Sequence, residues 1–82
     1  MTESAAANHT LDTKGLLCPM PVIKTQNKIQ TLANGETLLV AATDPGVMHD
    51  IPAWCRINGH KVLDKYQEDK VFYLLLETVS DR

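Results

Sequence analysis

Apolar and polar residues follow two periods along this chain, and together the two periods predict a fold that mixes helices with strands. Residues 21–33 have apolar positions at the spacing of an amphipathic helix, and Asn34 and Gly35 follow as a helix stop. The nearly continuous apolar run within residues 36–43 is typical of a strand buried inside a sheet. A second helix is predicted over about residues 50–58, with Pro52 tolerated in its first turn.

Three more strands complete the pattern. Residues 9–14 form a weak strand whose Leu11 points inward, and residues 61–66 and 70–79 form a hairpin joined by the polar residues 67–69. The element order is therefore β-α-β-α-β-β. Because crossovers between parallel strands are right-handed, both helices are expected on the same face of the sheet. The predicted class is α+β, a two-layer α/β sandwich in which two helices cover one face of a four-stranded mixed sheet.

The length of 82 residues allows one domain, and we assign residues 9–82 to it. Residues 1–8 are small and polar and predict a flexible N-terminal tail without the basic and apolar segments of a secretory signal. No apolar run approaches the roughly 18 residues that a membrane span needs. We therefore expect a cytoplasmic protein without membrane contact. The formal net charge of -2 argues against direct nucleic-acid binding, since such domains are usually basic.

Positive charge is concentrated in the first half of the chain. Residues 13–35 contain Lys14, Lys24 and Lys28 and no acid, whereas residues 36–82 contain eight acids and five bases. Lys24 and Lys28 are spaced i, i+4 and project from one side of the first predicted helix. We interpret them as a candidate contact for an acidic partner surface. The alternative is an ordinary solvated helix face.

The segment Cys18-Pro19-Met20-Pro21 carries the candidate chemistry. Cys18 stands where a helix begins, and the N–H groups and partial positive charge of a helix N-terminus favour a thiolate. We therefore expect an exposed sulfur with a moderately lowered pKa. Pro19 and Pro21 restrict the backbone and should fix the pose of the thiol. Such a sulfur suits a group that accepts and donates a sulfur atom.

Residues around the thiol are predicted to support it. Gly15 suits the turn before the motif, and Asp12 precedes that turn and is a candidate for fixing it. Met20, a flexible apolar residue between the prolines, is a candidate partner contact. No spacing of Cys, His and carboxylate residues matches a metal site, so neither a metal nor an organic cofactor is expected.

Cys55 and two aspartates need a structural interpretation beside a functional one. Cys55 is predicted to pack on the inner face of the second helix, and the alternative is a resolving thiol for Cys18. Asp44 and Asp50 are predicted to cap local structure, with a partner contact as the alternative.

The segment from Leu11 to Val22, with its Cys-Pro-Met-Pro motif, resembles the signature of the TusA/SirA sulfur-carrier family. The resemblance continues through residues 34–36, 44–45 and 50–55 and covers about residues 11–76. It implies a two-layer βαβαββ sandwich and a persulfide carried on Cys18. The sulfur would come from a cysteine desulfurase or a rhodanese and pass to an acceptor protein.

The resemblance implies a sulfurtransferase-like carrier rather than a stand-alone enzyme, in tRNA thiolation, cofactor biosynthesis or sulfur oxidation. Two other functions stay open at the level of the sequence. One is a regulatory or RNA-associated binding module in which the cysteine is incidental, because a fold does not determine a function. The other is a redox switch formed by Cys18 and Cys55.

Overall fold

The computed structural model describes residues 7–80, and six elements follow one another in the predicted order β-α-β-α-β-β. They are β1 (His9–Thr13), α1 (Met20–Ile29), β2 (Thr37–Ala42), α2 (Val47–Asn58), β3 (Lys61–Glu68) and β4 (Val71–Glu77). Most of the predicted N-terminal tail, residues 1–6, lies outside the described residues, as do residues 81–82.

The four strands form one mixed sheet in the order β1-β2-β4-β3. β1 is parallel to β2, whereas β4 is antiparallel to both β2 and β3. The two helices contact each other, α1 also contacts β1 and β2, and α2 contacts β3 and β4. They therefore form one helical layer on one face of the sheet, which confirms the predicted α+β sandwich.

The central position of β2 explains its continuous apolar run. Leu38, Val40 and Ala42 are fully buried within the core cluster beneath the helices. Leu39, whose side chain alternates with these, is also buried, with only 5% of its surface exposed. Because strand neighbours on both sides limit solvent access, apolar residues are accommodated on both faces of β2.

The first helix ends earlier than the sequence pattern predicts. α1 begins at Met20 and ends at Ile29, and residues 30–35 form two turns and a bend between them instead of a last helical turn. Pro21, Thr25 and Ile29 are its buried residues. A polar Thr25 therefore belongs to the inner face of α1, although it interrupts the apolar periodicity.

The second helix begins earlier than predicted, at Val47, so that Pro52 lies inside it. A proline has no N–H to donate to the carbonyl four residues before it, which here belongs to Met48. The ammonium group of Lys65 on β3 lies 3.4 Å from this carbonyl oxygen and donates to it instead. None of the helices in the described part of the chain is both long and apolar enough to cross a membrane.

The hairpin between β3 and β4 is tighter than predicted. β3 extends to Glu68, and only Asp69 and Lys70 form the turn. Asp69 has a φ of 55°, a left-handed conformation that aspartate tolerates better than most residues. The two long antiparallel pairings make the β2-β4-β3 half of the sheet its most extensively hydrogen-bonded part.

Candidate functional site

Two loops meet at one end of the sheet and form the candidate site. β1 and β2 are parallel, so the loops that follow them leave the sheet at the same end, where both helices begin. The first loop, residues 14–19, contains Cys18, and the second, residues 43–46, contains Asp44 and Gly46. We call this end of the molecule the thiol end.

The start of the first loop is fixed by Asp12 and Gly15, as the sequence suggested. The Asp12 carboxylate accepts the backbone N–H of Lys14 at 2.9 Å, which is the main reason that the pKa of Asp12 is lowered. The Lys14 ammonium also lies 3.3 Å from this carboxylate. Gly15 has a φ of 86°, which favours glycine, and its N–H donates to Thr43 Oγ1 at 2.9 Å. The turn is thus tied to the second loop.

The prolines occupy the start of α1. The Cys18–Pro19 peptide bond is cis, and Pro19 is the exposed N-cap residue of a helix that has no side-chain cap. Pro21 is buried in the first turn. The Met20 N–H donates to the Leu17 carbonyl at 2.9 Å and so closes the turn that contains Cys18. Cys18 therefore precedes the first helical residue by two positions and does not occupy the helix terminus itself.

Asp44 connects the backbones of the two loops. Its Oδ2 accepts the backbone N–H of Cys18 at 2.7 Å, and its Oδ1 accepts the N–H of Gly46 at 3.0 Å. These bonds, the one from Cys18 first, lower the pKa of Asp44 and favour its charged form. The capping role predicted for Asp44 is thus present at Gly46, the N-cap of α2. The same side chain also holds Cys18.

The thiol sulfur and two carboxylate oxygens surround the position that a side chain would take at Gly46. The position that a Cβ would take at this glycine lies 3.5 Å from Cys18 Sγ, 3.4 Å from Asp44 Oδ1 and 3.7 Å from Asp50 Oδ2. Asp50 stands in the first turn of α2, four residues after Gly46, and no cap bond from its side chain is found at that helix start. The capping prediction for Asp50 is therefore wrong, because its carboxylate faces the thiol.

These surroundings raise the pKa of Cys18 to about 11. Burial of the thiol is the largest cause, followed by the carboxylates of Asp50 and Asp44 as acceptors of its proton and as neighbouring negative charges. The prediction of a lowered pKa is wrong for this reason. Cys18 is also half-buried rather than fully exposed. The thiol rests in its protonated form at neutral pH.

The surface around the thiol is apolar on one side and basic further along α1. Leu17, Met20 and Ile23 expose 73%, 41% and 42% of their surface, and we call these three residues the apolar rim. Lys24 is exposed and Lys28 half-buried, and neither forms an ion pair with any residue that the structure describes. The sequence pointed to Met20 and the lysines, whereas Leu17 and Ile23 emerge only from their exposure in the fold.

Cys55 is more deeply buried than Cys18. It is fully buried in the core cluster on the inner face of α2, together with Ile51, as predicted. Burial alone raises its pKa to about 11. Over residues 7–80, no group of three or more His, Cys, Asp or Glu side chains is arranged to hold a metal ion.

Comparisons with known proteins agree on one relationship. The family profile described as "Sulfurtransferase TusA" matches residues 9–78. Two relatives from Neisseria meningitidis, of serogroups A and B, are each named "Putative sulfur carrier protein" and are 39% identical over 70 residues, which are 85% of this chain and 95% of theirs. A SirA-like protein from Desulfitobacterium hafniense has a similar crystal structure, with a TM-score of 0.78 at 19% identity over 88% of this chain and 99% of that one.

Proposed function

The chain belongs to the TusA sulfurtransferase family, and from this membership we propose that it is a sulfur carrier whose Cys18 holds the sulfur as a persulfide. The observation that carries the assignment to Cys18 is its position. It is the cysteine that reaches the surface, it is held by Asp44, and it stands beside the exposed apolar rim. Cys55 is fully buried and has no comparable access.

Loading is a transfer between two sulfur atoms without net oxidation. The Cys18 thiol gives up its proton, and its sulfur attacks the terminal sulfur of a persulfide on the donor protein. A bond forms between Cys18 Sγ and that terminal sulfur, while the donor's own S–S bond breaks. The donor cysteine leaves with the bonding electron pair and takes up a proton. Unloading repeats these steps, with a nucleophile of the acceptor attacking the terminal sulfur and Cys18 as the leaving group.

Because the pKa of Cys18 is raised, the partner protein has to promote formation of the thiolate. A thiol with a pKa of about 11 contains very little thiolate at neutral pH, and the thiolate is the nucleophile. The free carrier is therefore slow to react with small disulfides and alkylating reagents. A docked donor or acceptor that brings positive charge or a proton acceptor to the thiol end favours the reactive form. The chemistry is thereby confined to the complex.

The apolar rim and the lysines of α1 fit such docking. Exposed apolar side chains next to a reactive atom are typical of interaction sites, and flexible Met20 adapts to more than one surface. Lys24 and Lys28 favour partners with an acidic patch. A cysteine desulfurase or a rhodanese is the proposed donor in the cytoplasm. A protein of tRNA thiolation, cofactor biosynthesis or sulfur oxidation is the proposed acceptor.

Mass spectrometry after loading tests the proposal. The purified protein is incubated with a cysteine desulfurase and cysteine, separated from the donor and weighed under non-reducing conditions. Wild type and Cys55→Ala are expected to gain the mass of one sulfur atom, and the gain should disappear on treatment with dithiothreitol. Cys18→Ser should gain nothing because it has no accessible thiol.

Three results would contradict this function. Sulfur retained on Cys18→Ser would move the carrier site away from Cys18. No gain on wild type, with a donor that loads another carrier in the same assay, would exclude the persulfide role and favour a binding module. An intramolecular disulfide between Cys18 and Cys55 after mild oxidation would favour the redox switch instead.

A further inference from the structure

Gly46 has no conformational reason to be glycine. Its φ of -59° and ψ of -23° lie in the right-handed helical region, which every residue adopts readily. Alanine adopts these dihedral angles without strain. A Cβ at Gly46 would meet Asp44, Cys18 and Asp50 at 3.4–3.7 Å, which are ordinary contacts. Alanine would therefore fit the unloaded protein.

The space that Gly46 leaves open lies next to the sulfur that is to be loaded. It is bounded by Cys18 Sγ and by one carboxylate oxygen each of Asp44 and Asp50, and we call it the Gly46 recess. A second sulfur is bonded about 2.05 Å from the first. From Cys18 it extends either outward, toward the solvent, or into this recess. A Cβ at Gly46, only 3.5 Å from Sγ, would leave no room for a second sulfur there.

The walls of the Gly46 recess suit a protonated persulfide. A hydropersulfide group has an S–H that donates a hydrogen bond, and a carboxylate accepts it as a charge-assisted bond. Asp44 already accepts two backbone N–H groups, so its orientation is fixed before loading. Asp50 stands on the first turn of α2, on the other side of the same space. Two negative charges also disfavour ionisation of the terminal sulfur.

From this geometry we infer that Gly46 is a positioning residue, which gives the terminal sulfur of loaded Cys18 a place between the Asp44 and Asp50 carboxylates. This inference rests on the proposed persulfide function and adds where the sulfur is held. In the recess the terminal sulfur is protonated and partly shielded from solvent thiols. The loaded carrier thus keeps its cargo until a partner docks at the thiol end.

Gly46→Ala tests the inference, because it fills the recess and changes no charge. Wild type, Gly46→Ala and the neighbouring control Pro45→Ala are loaded by the same desulfurase, and the loss of sulfur to dithiothreitol is followed by mass. Loss of one charge-assisted hydrogen bond corresponds to roughly tenfold or more in rate, so Gly46→Ala should lose sulfur about tenfold faster than wild type. Pro45→Ala should match wild type. Alkylation of unloaded Cys18 should be similar in all three.

Backbone amide resonances of the wild-type protein provide a readout that needs no variant. Loading should shift the amide signals of Gly46 and Val47 more than those of Leu17 and Met20, since the sulfur enters the recess. Equal sulfur loss from Gly46→Ala and wild type would overturn the inference, and so would shifts confined to Leu17 and Met20. If Gly46→Ala does not fold, the amide shifts decide. If wild type gains no sulfur at all, the proposed function fails and the inference falls with it.

Discussion

The two cysteines have the same raised pKa of about 11 for different physical reasons. Cys55 is enclosed by the core beneath α2, and burial alone disfavours its thiolate. Cys18 is half-buried at the thiol end, where the carboxylates of Asp50 and Asp44 add to the effect of burial. The two cysteines differ in the kind of change that would lower each pKa again.

Burial is the only cause of the raised pKa of Cys55. Its thiolate can therefore form readily only when the core opens and admits water. Asp50 is exposed and Asp44 is half-buried, so the charges around Cys18 are within reach of a docking partner. A cation placed near these carboxylates changes the pKa of Cys18 without unfolding anything. Two cysteines with similar pKa values therefore differ in that Cys18 can be activated from outside and Cys55 cannot.

The largest expected contrast is the rate of alkylation in the folded protein. Cys55 should react with iodoacetamide only through opening of the core, which for a stable small domain makes it roughly a thousandfold or more slower than in the unfolded chain. Cys18 needs no opening and is slowed only by its small thiolate fraction. Peptide mass spectrometry over time gives both rates, and both should become similar in denaturant. Native alkylation of Cys55 within tenfold of Cys18 would remove the contrast.

The next contrast concerns the carboxylates. Asp50→Asn removes a negative charge beside the thiolate, so the pKa of Cys18 should fall and that of Cys55 should not change. A decrease of about one unit gives tenfold more thiolate below the pKa, but a less basic thiolate is also a weaker nucleophile. The net increase in the alkylation rate near pH 8 is therefore about threefold.

The pH dependence of alkylation gives an independent measure of the direction in which Asp50 shifts the pKa of Cys18. In wild type the alkylation rate of Cys18 should rise with pH up to about 11, since only the thiolate reacts. In Asp50→Asn the midpoint should move to lower pH. Glu77→Gln is the matched control, because Glu77 ends β4 at the opposite end of the sheet. An unchanged midpoint in Asp50→Asn would mean that Asp50 does not contribute and that burial and Asp44 set the pKa of Cys18.

The environment of Cys55 could be predicted from the sequence, whereas that of Cys18 could be predicted only in part. Helical spacing places Cys55 on the inner face beside Ile51, and a local pattern is enough for that. The turn at Asp12 and Gly15 is local as well, and it was predicted correctly. The strand order of the sheet was not predicted, because it depends on pairings between distant segments.

Asp50 was misinterpreted because its partner is 32 residues away in the chain. The predicted start of the second helix was also too late, which made Asp50 look like its cap. One signal could have corrected this. A β-α-β unit with parallel strands brings the loops after both strands to one end, so that acids after β2 face a cysteine after β1. Gly46 gives no such signal, because its role depends on atoms that only the folded chain brings together.

The smallest expected contrast separates small reagents from protein partners. Lys24 lies in the first half of α1 and Lys28 in its last turn, and neither forms an ion pair within residues 7–80, so their charge is available to an acidic partner. Exposed charge pairs contribute about 0.2–1 kcal/mol. Lys24→Gln combined with Lys28→Gln should therefore slow sulfur transfer from a protein donor about twofold at low ionic strength, and less as salt is added. Alkylation of Cys18 by neutral iodoacetamide should not change.

The control pair for this test is Arg56→Gln with Lys61→Gln. Both residues are exposed, and Arg56 lies ten positions after Gly46 along α2, which is about 15 Å of helix. This pair removes the same amount of positive charge from α2 and β3 instead of α1, so it should leave both rates unchanged. Equal slowing by the two pairs would mean that net charge alone affects the encounter. Slower alkylation in the Lys24 and Lys28 double variant would mean that these lysines stabilise the Cys18 thiolate. The pKa of Cys18 would then depend on nearby cations as well as on the carboxylates, unlike that of Cys55.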